Sequence, residues 1–395
     1  MDLVFVTEAR FHRSVDGKVY SQNGSYGLSL WERYLSVFDK ISVLARVENT
    51  NKDFPKEYIA ESEKVSFIEI PYFVGPLEYL KKRNTVNKVL KNLAFNDETV
   101  IICRVPGKIG TIFTKHLRMK NRPYAVEVVG DPWDVFAPGT IKHFLSPIFR
   151  IQGYLNLKKT VAHASATLYV NKNQLKSRYP SNKEAYTTNA SNVFIPDSSF
   201  NDPPKKFRKK EKELIKLIAI GSLAQMYKAP DIVLKTLKEL KTKRYKLHLT
   251  WLGDGIYKKP MLELANSLGI SNIVDFKGNI PTGEPVRKEL KEADLFIHVS
   301  RTEGLPRAMV EAMSVGLPCI GTKVGGIPEL LEEKALIKPD DVEGLLIKIV
   351  EFISNPELMN SQGLRNYKEA KEYSDSVLRN RRQEFCREII KRSAK

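Results

Sequence analysis

Cysteine is scarce in this chain: Cys103, Cys319 and Cys386 are the only three in 395 residues. Three scattered thiols build neither a disulfide frame nor a zinc site, so they read as core or incidental thiols. Long apolar runs are missing too. No stretch reaches the roughly 18 residues that a membrane-spanning helix needs, and Met1-Asp-Leu-Val-Phe-Val6 enters a strand-like run without the basic-then-apolar layout of a secretory leader. The expected location is cytoplasmic, either free or peripheral on the inner face of the membrane. Acidic residues are in deficit, 46 against 64 Lys and Arg, for a net charge of +18. Such an excess points either to an anionic partner or to a lysine-rich solvated surface. Clusters stand at Lys81-Lys82-Arg83, between Lys115 and Arg122, and between Lys205 and Lys212. Basic residues interleaved with stacking aromatics on one face are absent, so nucleic acid is not the expected partner; an anionic membrane surface stands as one option beside the plain solvated surface.

The length exceeds what one hydrophobic core usually serves, so two domains are expected. Apolar runs alternate with helix-like stretches, the pattern of βα units around a parallel sheet. Residues 1–196 form the expected N-terminal, acceptor-side Rossmann-like domain. Residues 197–212, rich in Ser, Pro, Asp and Lys, read as a linker. Residues 213–366 form the expected donor domain, and the charged stretch 367–395 a helical tail, with a return to the N-terminal domain as one option. The fold class is α/β: two doubly wound domains with the carboxyl ends of their sheets facing a central cleft, where ligands collect.

The segment from Ser300 to Gly316 carries the most chemistry. A buried strand runs into a polar turn and then a helix with Pro306 in its first turn and Gly316 just past its end. The free N–H groups of Gly304, Leu305, Arg307 and Ala308, with the helix dipole, make an anion site suited to phosphate. Glu303 precedes the helix and Glu311 lies inside it. Carboxylates accept from vicinal hydroxyl pairs, so the two suit a sugar and a ribose; the plainer alternative is a helix-start acid and a surface acid. Upstream, Gly221-Ser222-Leu223 ends a strand, and Lys228 in the following loop supplies a mobile cation for a diphosphate. Gly253-Asp254-Gly255, Gly278-Asn279-Ile280 and Gly325-Gly326 close three further strands.

On these motifs, residues 214–331 resemble the donor domain of glycosyltransferase family 4, a family of GT-B fold. The resemblance implies a retaining transfer from a nucleotide-diphosphate sugar such as a UDP- or GDP-sugar, with no cofactor and no metal. It implies that Glu311 holds the ribose hydroxyls, that Glu303 and the amides after it hold the donor sugar, that Lys228 holds the diphosphate, and that Gly278 and Ile280 lie near the base. One position departs. Members usually carry Arg six residues before the loop lysine, where this chain has Ser222, so another cation is expected to help; Arg301 and Arg307 are the candidates.

The N-terminal half matches less closely. Gly24, within Asn23-Gly24-Ser25-Tyr26-Gly27, fits either a glycine loop near the donor phosphates or a plain turn. Asp131 stands where relatives place a histidine, and is expected either to accept from a sugar hydroxyl or to cap a turn. Trp133 is expected to stack on a pyranose or to pack internally, and Arg104 to meet an anionic acceptor or a phosphate. The implied acceptor is a saccharide or a lipid-linked molecule, in surface polysaccharide or glycolipid assembly. Rival readings are a nucleotide-sugar epimerase on the same fold and a noncatalytic membrane scaffold, which would tolerate neutralising both carboxylates.

Overall fold

The computed structural model describes residues 1–22, 24–137, 144–208 and 214–393. The chain divides into two compact units: Met1–Trp133, Pro147–Ala190 and the C-terminal residues from Arg379 make one, and Ser191–Leu378 makes most of the other.

The N-terminal sheet contains β1 (Asp2–Arg13), β2 (Val19–Ser21), β3 (Lys40–Asn49), β4 (Val65–Pro71), β5 (Val100–Val105), β6 (Ala125–Val128), β7 (Ala166–Tyr169) and β8 (Tyr186–Asn189). Its order is β4-β3-β1-β5-β6-β7-β8, all parallel, with β2 folded back antiparallel on β1. Strands β5, β6 and β7 are buried at every position, as a parallel sheet covered on both faces requires. Two strands leave little mark on the sequence: β2 spans three residues, and β8, Tyr-Thr-Thr-Asn, has no apolar alternation to betray it. The helix Asp375–Ser393 buries Phe385, Cys386 and Ile389.

The C-terminal sheet contains β9 (Ile215–Ile220), β10 (Leu247–Leu252), β11 (Val274–Gly278), β12 (Leu295–His298), β13 (Cys319–Thr322) and β14 (Leu336–Ile337), in the order β11-β10-β9-β12-β13-β14 and parallel throughout. The chain leaves β9 toward one edge, then returns to add β12 on its other side. Ligands of such sheets bind at this switch point, beyond the carboxyl ends of β9 and β12.

The described part of the expected linker is not a loose tether. Lys205 donates its backbone N–H to Val315 O at 3.3 Å, and Phe207 exchanges two 2.8 Å hydrogen bonds with the Asn360 side chain. Gly316, at φ +74°, needs to be glycine for both reasons at once: the left-handed backbone, and Pro204 Cβ, which a side chain would meet at 2.6 Å. Residues 209–212 lie outside the described residues. Among the described residues no helix is long and apolar enough to cross a membrane.

Candidate active site

At the switch point, the loop after β9 and the loop after β12 are fastened together by Arg301. Its guanidinium donates to Met226 O (2.6 Å), Asp231 (2.8 Å) and Asp340 (2.7 Å), and its backbone N–H to Tyr227 O (2.7 Å). These bonds fix the single 3₁₀ turn Met226–Lys228 and, through left-handed Ala229, the start of the helix Pro230–Thr242. Arg301 therefore builds the loop and is not a free cation replacing the arginine missing at Ser222. Ser222 itself is exposed, its hydroxyl accepting from Ala224 N at 3.2 Å. Arg307 is exposed on the first turn of the helix Arg307–Ser314.

Lys228 is thereby placed over Gly221, where a Cβ would come 2.8 Å from its Cγ. Its ammonium pairs with Glu303 Oε1 and lies 5.1 Å from the Tyr227 ring centre. The same Glu303 oxygen accepts from His298 Nε2 (2.8 Å) and Ser300 Oγ (3.0 Å). Burial alone would raise the Glu303 pKa, but hydrogen bonding from His298 and the charge of Lys228 outweigh it and bring it down to about 2. His298 goes the other way: burial and then Lys228 lower it, so it sits at neutral pH as an uncharged imidazole donating through Nε2. The sequence reading missed His298 and assigned Ser300 no role. The available signal was a histidine closing an otherwise apolar strand directly before an acidic turn.

Beyond Glu303 the backbone opens. A Cβ on Gly304 would meet nothing within 4 Å, and the N–H groups of Gly304, Leu305, Arg307 and Ala308 find no acceptor among the described residues. Glu311, one helix face further on, has no hydrogen-bonding partner for its carboxylate among the described residues. Burial, partly opposed by Arg307, raises its pKa to about 7.

The other glycines explain themselves by backbone crowding. Gly253 N donates to Gly278 O at 2.8 Å, and a Cβ at Gly253 would lie 2.1 Å from Gly221 O. Gly325, at φ +53°, would put its Cβ 1.9 Å from Glu303 O, and Gly326 donates to Gly304 O at 2.6 Å. Packing thus accounts for Gly253, Gly325 and Gly326, which let the turns cross and so fix Glu303 and Gly304. Ile280 is half-buried in the turn after β11.

In the N-terminal unit the acceptor-side candidates are internally engaged. Asp131 is buried and accepts from Tyr179 Oη (2.5 Å), Trp133 N (2.9 Å) and the Arg178 guanidinium. Trp133 carries the Arg150 guanidinium 3.9 Å from its ring centre and the Tyr154 ring edge-on at 5.5 Å. Arg104 is buried, donating to Glu127 (3.1 Å) and Tyr26 Oη (3.1 Å). Gly24, at φ +73°, precedes the helix Leu28–Leu35, and a Cβ there would come 2.8 Å from the Tyr58 ring. The plainer alternative, internal packing, describes these contacts.

A family model described as glycosyl transferases group 1 matches residues 201–391. Protein CapJ of Staphylococcus aureus is 31% identical over 381 residues, which cover 95% of this chain and 92% of that one. The chain belongs to the group 1 glycosyltransferases. The N-acetyl-alpha-D-glucosaminyl L-malate synthase of Bacillus anthracis shares 31% identity with this glycosyltransferase over 164 residues, 41% and 42% of the two chains. Among solved structures, the sucrose-phosphate synthase of Thermosynechococcus elongatus superposes with a TM-score of 0.68 at 13% identity, covering 96% of each chain. Anabaena HepE in complex with UDP-glucose superposes at 0.62 and 15%, covering 97% of this chain and 98% of the other. These likenesses establish the fold of the transferase: two Rossmann-like α/β domains, the GT-B class.

Proposed function

We propose that this glycosyltransferase moves a sugar from a nucleotide-diphosphate donor to a saccharide or lipid-linked acceptor, with retention at the anomeric carbon and without a metal, in assembly of a surface polysaccharide or glycolipid. The observation that carries the reading is the meeting of Lys228 and Glu303 at the switch point, directly before unpaired backbone N–H groups. A diphosphate accepts from those amides and draws Lys228 off Glu303. The charge that grows on the departing phosphate oxygen is then met by a cation and by amides that are already oriented. Glu303, oriented by hydrogen bonds from His298 and Ser300, accepts from donor sugar hydroxyls, and Glu311 accepts from a ribose diol. Asp131 is engaged inside the N-terminal unit, so no base or nucleophile is assigned to it. Attack by the acceptor on the face the diphosphate leaves, with a phosphate oxygen taking the acceptor proton, gives retention.

Support also comes from the HepE complex with UDP-glucose and from relatives named as polysaccharide-biosynthesis glycosyltransferases, such as the putative colanic acid enzyme WcaL of Salmonella typhimurium. The test is proton NMR of donor cleavage by UDP- and GDP-sugars, with and without EDTA. An α-linked donor should release α-sugar first at an unchanged rate; first-formed β-sugar, or loss of cleavage with EDTA, contradicts the reading.

A further inference from the structure

Three helices of the N-terminal unit, Gly75–Asn92, Lys108–Met119 and Ser146–Ala162, form a layer on one face of its sheet. Val86 and Leu90 from the first, Ile109, Phe113 and Leu117 from the second, and Leu157 and Val161 from the third share one buried cluster with Val4, Ile101 and Val126. This is the outcome right-handed crossovers dictate, since each helix carries the chain the same way across the sheet.

The outward surface of this layer has an unusual composition. The three helices contain eleven Lys and Arg residues and a single acid, Glu78. Between Asp134 and Glu184 the sequence has no Asp or Glu and eight Lys or Arg. Leu77 (77% exposed) and Leu80 (54%) stand out on the first helix, and Ile148 (59%), Ile151 (55%) and Leu155 (56%) on the third. The last three lie at i, i+3 and i+7, so one helical stripe faces solvent, and it runs on into exposed Lys158 and Lys159. Leu157 and Val161, on the opposite side, supply the core contacts, so folding of the unit does not explain the outer stripe.

Position adds to composition. The strands are parallel and each helix runs back against them, so the N-terminal turns bearing Leu77, Leu80, Ile148 and Ile151 stand at the end of the unit where the strands finish. That rim is where a doubly wound domain takes its ligands.

We infer that this helical layer docks on an anionic lipid bilayer, the aliphatic stripe entering the acyl boundary while the lysines meet lipid phosphates. A second copy of the chain is a poor occupant, because the nine exposed cations of the layer, Arg118 and Arg150 being turned to internal partners, would face nine. Docking stands on these observations alone; only its purpose, bringing the acceptor rim to a lipid-linked substrate, rests on the function proposed above.

The test is co-sedimentation of the full chain with vesicles of phosphatidylcholine, either pure or with one third phosphatidylglycerol, at low salt. Binding is expected to the anionic vesicles only. The triple variant I148Q/I151Q/L155Q and the double variant K158E/K159E should each weaken it by about tenfold or more. K235E/K238E, the same charge change on exposed positions of the C-terminal unit, should leave it within about twofold, separating this layer from bulk charge. Equal binding by the triple variant, equal weakening by K235E/K238E, no binding by the parent protein, or a dimer that the triple variant dissociates would each overturn the inference. Nucleotide titration of every variant reports the donor site separately, so loss of vesicle binding with nucleotide binding intact bears on docking alone.

Discussion

Lys228 and Glu303 form an ion pair across the switch point of the C-terminal sheet, one side chain from the loop after β9 and the other from the loop after β12. Both are largely buried, so neither is screened as a surface pair would be. On the proposed function, donor binding exchanges a carboxylate for a diphosphate as the partner of Lys228. Substituting Lys228→Met should lower kcat/KM by roughly 10²–10³, the usual cost of removing one stabilising donor from a developing oxyanion. Steady-state kinetics on the donor checks this; a change confined to less than about threefold would detach Lys228 from the leaving group.

Glu303 has a folded-state pKa of about 2 against an ordinary value of 4.5. The depressed value means that its ionised form contributes stability that is fully present above about pH 4.5 and lost as pH falls toward 2. Glu303→Gln should flatten the acid limb of the melting-temperature profile between those limits while also abolishing turnover. Parallel acid limbs in the two proteins would contradict the assignment.

Glu311 shows the opposite sign. Its pKa is raised to about 7, so the folded protein holds this proton more tightly than the unfolded chain, and stability falls as pH rises from about 4.5 through 7. Glu311→Gln should therefore melt higher than the parent at pH 8 and equally at pH 4.5, yet bind nucleotide more weakly at pH 8. A residue that destabilises the fold while strengthening ligand binding has a functional reason to be there. Parent affinity for nucleotide should itself decline as pH drops below about 7, where the carboxylate takes up its proton; a flat affinity profile from pH 6 to 8 would count against ribose binding by Glu311.

His298 touches the proposed site through its hydrogen bond to Glu303. His298→Leu removes a 2.8 Å donor, while His298→Gln keeps a donor on a neutral side chain. The leucine variant should shift the pH profile of kcat/KM, raising the apparent pKa of its acidic limb, and the glutamine variant should restore much of it. Equal profiles in all three proteins would reduce His298 to core packing.

Much of this was legible in the sequence because parallel sheets buried on both faces leave nearly continuous apolar runs: Leu295 to Val299 and Leu247 to Leu252 could be little else. Glu303, Glu311 and Lys228 could be singled out as candidates because loops after strands carry the chemistry of this fold. The packing duty of the rim glycines was not legible, since a sequence shows that glycine is present but not that Gly221 O crowds Gly253. Asp131, Trp133 and Arg104 were candidates by chemical type, and type cannot reveal that Arg178, Arg150 and Glu127, distant in sequence or on another strand, already face them. His298 was missed because a buried histidine in a strand looks the same whether it fills space or orients an acid.

The most direct test of the donor site is calorimetric titration of the full chain with UDP, GDP and ADP at pH 8, repeated on Lys228→Ala and Glu311→Ala. One nucleotide should bind with micromolar affinity, and each substitution should weaken it by tenfold or more, about 1.4 kcal/mol. Absence of binding by all three nucleotides to well-folded protein, or equal binding by parent and variants, would contradict the account.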